Sequence, residues 1–194
     1  EFLEDAGRIF VFDFYDFDWN ENKLDMESIL YGSQVGSQLG DQVAMGCGGT
    51  ILASGGHYRD VENYPDAGVV MIWTFRHRHI DALLVSISGS YKNAHFGYDV
   101  QLRCTIHGMG VFIASSENQN SRAGSTLVTE ISNFHDSLHA IEFAGPELGD
   151  TVWLGKGPSV AMSGRGNRVA VGYESIRSNG VSRSELHIYD HMGI

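Results

Sequence analysis

The side chains best suited to chemistry are acidic and aromatic. Asp60, Glu62 and Asp66 fall between Gly56 and Ala67, with Tyr58 close by. Three carboxylates in one loop could gather a cation, because calcium is held by several oxygen ligands. The pattern recurs nowhere else in the chain, so a solvated loop is the expectation and no metal is assigned. A second acidic stretch, Asp13, Asp16, Asp18, Glu21 and Asp25, is interleaved with Phe12, Phe14, Tyr15, Phe17 and Trp19. Aromatic rings stack on sugars while neighbouring carboxylates accept their hydroxyl hydrogen bonds. An edge strand running into a polar loop explains the same stretch and is the expectation. Trp19, Tyr58, Asp60, Glu62 and Asp66 are the candidate ligand contacts, the aromatics for a glycan and the three carboxylates for a cation.

Other combinations carry less. His77 and His79 alternate with Arg76 and Arg78. Two imidazoles on one strand face could hold a metal, but the flanking guanidinium groups oppose a cation, and an exposed hairpin turn is expected. There is no Gly-x-Ser-x-Gly elbow, Walker loop or His-Glu-x-x-His. Gly164-Arg165-Gly166-Asn167 precedes a strand, not the helix N-terminus a phosphate needs. No catalytic residue, metal ligand or cofactor-binding residue is assigned, and no enzyme activity is expected.

The elements that position these residues recur along the chain. One ladder begins Gly7-Arg8-Ile9-Phe10-Val11-Phe12 and returns as Gly68-Val69-Val70-Met71-Ile72-Trp73 and Gly124-Ser125-Thr126-Leu127-Val128-Thr129. A fourth copy, Ser184-Glu185-Leu186-His187-Ile188-Tyr189, lacks the Gly; Ala6, Ala67 and Ala123 precede it in the others. A second ladder joins Gly40 to Met45, Gly97 to Leu102 and Gly157 to Met162, each followed by a Gly-bearing turn and a strand of small residues. Further apolar segments end at Gly32, Gly89 and Gly145. Each period of about 57–60 residues thus offers four short strands, rich in Ile, Val, Phe and Trp, separated by turns. One such unit cannot bury both its faces, and stacking units around an axis solves that problem. The expected fold is all-β, a β-propeller of four-stranded antiparallel blades. A partial blade spans 1–38, blades span 39–95 and 96–147, and a second partial blade spans 148–194. The incomplete ends imply a propeller completed by further sequence or other chains.

Cys47 and Cys104 stand one repeat apart. Equivalent points on adjacent blades are expected to exceed the roughly 7 Å between Cα atoms that a disulfide allows, so two free thiols are expected.

Bulk properties bound the partners. The 194 residues are 42% hydrophobic and 19% charged, with 24 Gly against 3 Pro, which suits a globular chain with many tight turns. A net charge of −11 disfavours nucleic acid and anionic membrane surfaces. No apolar run approaches the roughly 20 residues that span a bilayer. The first residues lack a signal peptide's basic and apolar regions, and with no initiator Met a mature product or a fragment is expected.

With these residues in view, the chain resembles the FG-GAP-like propeller repeats, related to the blades of integrin α-subunits. The degenerate versions in large surface proteins of diatoms, other algae and some bacteria are most similar. Phe96-Gly97, Ser159-Val160-Ala161-Met162-Ser163, Val169-Ala170-Val171-Gly172 and Ile188-Tyr189-Asp190 carry the resemblance. Calcium-binding members place an acidic loop between the first two strands. Here the corresponding turns are Gly46-Cys47-Gly48-Gly49, Thr105-Ile106-His107-Gly108 and Gly164-Arg165-Gly166-Asn167, without an acid, so the calcium sites are not carried over. The resemblance implies a non-enzymatic scaffold, adhesive or protein-interaction module of a larger extracellular or cell-surface assembly. A carbohydrate-binding propeller is the alternative, and a glycan-acting hydrolase or lyase a weaker one.

Overall fold

Alternating apolar residues and frequent glycines favour short paired strands over helices, and the computed structural model of the chain is all-β. It describes residues 3–18, 23–76, 79–104, 110–119, 122–132, 137–144, 159–164, 168–176 and 181–190. The first sheet pairs β1 (Arg8–Asp18) with β2 (Lys23–Tyr31). The second runs in order through β3 (Gln42–Gly46), β4 (Ile51–Gly56), β5 (Val69–Arg76) and β6 (His79–Ser88). The third does the same through β7 (Val100–Cys104), β8 (Gly110–Gln119), β9 (Arg122–Ser132) and β10 (Ser137–Ala144). The fourth holds β11 (Ser159–Met162), β12 (Arg168–Ile176) and β13 (Ser182–Asp190). All neighbouring strands are antiparallel. Among the described residues no helix is long and apolar enough to cross a membrane.

The sheets pack face on face, and strand alternation decides which residues fill each junction. Ile9 of β1 meets Leu52 and Trp73 on one side of the second sheet, with Val11, Leu30 and Met71 around them. Ile51, Ala53, Val70 and Ile72 point to the opposite side and pack on Phe96, Val100 and Leu102 of the third. Val128 of β9 then packs on Val160, Val169 and Val171 of the fourth. At these junctions β3 lies against β7, and β11 lies against both β7 and β8. A carboxylate ties β11 to the approach to β7, since Asp99 accepts the Val160 backbone N–H at 2.7 Å.

A backbone clasp joins each early sheet to the approach to the next. In the first, the amides of Gly36, Gln38 and Leu39 donate to the carbonyls of Glu4, Asp5 and Ala6. In the second, those of Asn93, His95 and Phe96 donate to Pro65, Asp66 and Ala67. Parallel bridges Gly7↔Leu39 and Gly68↔Phe96 extend each clasp. Gly68 sits at φ +80, and a side chain there would run into the Phe96 backbone. A residue other than Gly would both strain the backbone and push the two segments apart.

The expectation of two free thiols is corrected by this packing. Cys47 and Cys104 form a disulfide with Cα atoms 5.4 Å apart. They lie at corresponding ends of β3 and β7, whose mutual approach is helped by Gly46, where an added Cβ would already press on Leu102. The bridge closes a separation of 57 residues, for which chain-entropy reasoning gives about 4 kcal/mol, against roughly 2–4 typically measured.

Three outcomes follow from these junctions. Replacing both cysteines by alanine should lower the unfolding free energy by about 2–4 kcal/mol in urea titrations. Gly68→Ala should cost more than about 3 kcal/mol. Gly36→Ala should cost only about 1–2, since Gly36 shares the positive φ (+73) but has open space around it.

Candidate functional site

The strongest gathering of polar chemistry lies where β4 ends and β3 and β7 begin, at the end of these strands away from the disulfide. His57 follows β4 directly and is buried, only 4% exposed. Tyr58 follows it; Asp41 comes just before β3, and His95 and Tyr98 lie on the approach to β7. The His57 ring centroid is 4.2 Å from that of Tyr58, 5.3 Å from Tyr98 and 6.3 Å from His95. Tyr58 and His95 meet edge to face at 5.0 Å. His57 Nδ1 is buried without a hydrogen-bond partner, and the nearest Asp41 carboxylate oxygen is 3.6 Å away.

Burial dominates the electrostatics here. It lowers the pKa of His57 against the opposing pull of Asp41, and His95 lowers it further. Burial likewise lowers His95, opposed by Asp66. Both rings are therefore neutral at pH 7. The Tyr98 hydroxyl is pushed up by burial and by Asp41. The cluster offers aromatic faces and neutral imidazole nitrogens, a surface suited to stacking and hydrogen bonding more than to binding charge.

Of the residues singled out in the sequence, Tyr58 belongs to this cluster and is 40% exposed. Asp60 is engaged within its own loop: its amide donates to Gln34 Oε1 at 3.1 Å and its carboxylate caps the Asp66 amide at 2.9 Å. Glu62 is exposed, in a tight turn where Val61 and Tyr64 exchange backbone hydrogen bonds. Asp66 faces His95. Among the described residues no three His, Cys, Asp or Glu side chains are grouped to hold a metal. Trp19 and His77 lie outside the described residues, as do the side chains from Asp13 to Asp25; His79 is exposed.

Sequence reasoning did not single out Asp41, His57, His95 or Tyr98. The second ladder carried a usable signal, because it aligns Gly40-Asp41 with Gly97-Tyr98. Packing of the second sheet on the third brings those two positions together.

A second polar row lies on β13. His187 is flanked on its own strand face by Glu185, 3.0 Å from Nε2, and by the Tyr189 hydroxyl, 3.2 Å from Nδ1. With the proton on Nε2, the ring donates to Glu185 and accepts from Tyr189. Tyr173 crosses it edge to face at 5.2 Å, and burial raises that tyrosine's pKa. This row faces the third sheet, which makes it part of a junction. No model of a known protein family matches the chain, and no curated protein matches it in sequence.

The lowered histidines set an acid dependence. An unfolded His titrates near 6.5, above its folded value at these positions. Below about pH 6.5 the unfolded chain therefore binds more protons, and stability falls as acid is added. Asp99 acts with the opposite sign, because burial raises its pKa. Urea midpoints should drop between pH 7 and pH 5 on account of the histidines. His57→Phe, which leaves Asp99 in place, should make that drop shallower.

Proposed function

We propose that the chain is a run of β-propeller blades of FG-GAP-like type. It serves as a non-enzymatic scaffold, adhesive or protein-interaction module of a larger extracellular or cell-surface assembly. The clasp carries this reading. The same backbone bonds recur at 4–7 with 36–39 and at 65–68 with 93–96, so the recurring residues build junctions. Successive meanders of two, four, four and three strands and the meeting of first strands β3, β7 and β11 are what blades around an axis would present. What differs between repeats is the loops, where binding normally resides. The disulfide is compatible with an oxidising compartment.

The exposed Tyr58 ring against His95, beside Asp60 and Asp66, favours a second reading, a carbohydrate contact at the loop end. Glycan arrays and polysaccharide-turnover assays separate the two. The scaffold reading expects neither sugar binding nor turnover. Saturable sugar binding lost on Tyr58→Ala would replace it with the glycan reading, and turnover would point to a hydrolase or lyase.

A further inference from the structure

We propose that this chain associates head-to-tail with a second copy of itself. The outer face of its fourth sheet, carrying Leu186 and Ile188, seats on the outer face of its first, carrying Phe10 and Phe12. The inference deepens the interaction-module reading and rests on the same stacking of repeats.

Strand register makes the two ends comparable with the junctions inside the molecule. Gly55 pairs with Val70 and Ala53 with Ile72 in the second sheet; Gly172 pairs with Leu186 and Ala170 with Ile188 in the fourth. Leu186 and Ile188 thus hold the places of Val70 and Ile72. The inner pair is 0% exposed under the third sheet, whereas Leu186 is 68% and Ile188 66% exposed. The other end shows the reverse. Phe10 and Phe12 hold the ladder places of Met71 and Trp73, which the first sheet covers, yet they are 48% and 43% exposed. Tyr31 pairs with Arg8 on this outer face and is also exposed. Beside it opens a depression of about 580 Å³ lined by Leu3, Ala6 and Tyr31 among others.

The contact that these faces lack already exists once in the molecule. Ile9 and Val11 of β1 meet Met71 and Trp73 of β5. Leu186 and Ile188 of β13 are the same ladder positions as Ile9 and Val11, and Phe10 and Phe12 the same as Met71 and Trp73. One copy's last sheet therefore presents to the next copy's first sheet the apolar pairing that joins the first two sheets here. The two faces differ, so the interface is heterologous and propagates as a ring or an open stack.

Light scattering across a concentration series, with two double variants, tests this. Wild-type mass should rise above the 21.3 kDa of one chain. Leu186→Thr with Ile188→Thr, and separately Phe10→Thr with Phe12→Thr, should each stay monomeric, since each loses one of the two faces. Threonine keeps strand propensity at these exposed sites. An equimolar mixture of the two variants retains one intact junction, and it should give a species of twice the chain mass and nothing larger. A wild-type chain that stays monomeric overturns the proposal while leaving the interaction-module reading in place for other partners. A phenylalanine variant that still dimerises alone also overturns it, because that contact would join like faces. Failure of Cys47 and Cys104 to pair on oxidation of the folded chain would strike the stacking of sheets, and both readings with it.

Discussion

The tightest constraint on this molecule is the approach of one backbone to another at the Ala-Gly clasp. Gly7 and Gly68 occupy left-handed conformations that side chains rarely adopt, and each lies against the backbone of the segment leading to the next sheet. Asp5, Gln38, Asp66 and His95 also take positive φ, between 49 and 52. Such non-glycine residues are strained by roughly 1 kcal/mol or more each. That strain persists because the backbone bonds around it over-determine the turn. The clasp sets the spacing of the first three sheets, and their apolar faces then have one way to meet.

Given that spacing, the second sheet must be apolar on both sides. Val70 and Ile72 face one neighbour while Met71 and Trp73 face the other, so β5 reads as an uninterrupted apolar run. Full burial of side chains this size stabilises by about 1.5–3 kcal/mol each, more than any surface ion pair, such as exposed Arg168–Asp190, contributes. Burial between sheets is therefore the main source of stability. The disulfide and the Asp99–Val160 hydrogen bond fix alignment at junctions that burial has already formed.

Much of the fold was legible because its determinants are local. The Gly7 and Gly68 ladders, the small-residue strand at Ile51–Gly56 and the segments ending at Gly32 and Gly89 all emerge as strands or strand ends. Inter-sheet distance was not legible. Whether Cys47 reaches Cys104 depends on how closely β3 and β7 approach, which Gly46 and the distant clasp decide together. The candidate site was hidden for a related reason: pairing of β3 with β4 brings Asp41 beside His57, but His95 joins them only through stacking of the second sheet on the third. Carboxylate spacing misled in the opposite sense, since the exposed Asp60 caps the Asp66 amide within its own loop and, among the described residues, no three carboxylates gather there.

The loop-end cluster then shows which effect wins where two sheets meet. A carboxylate 3.6 Å from an imidazole would ordinarily raise its pKa, and Asp41 does pull His57 that way. Asp41 is half exposed, however, and water weakens its field, whereas His57 is almost wholly enclosed. Desolvation prevails, and the ring stays neutral among aromatic neighbours. Packing between sheets thus governs even this polar corner, and acid should be felt there as a loosening of the junction.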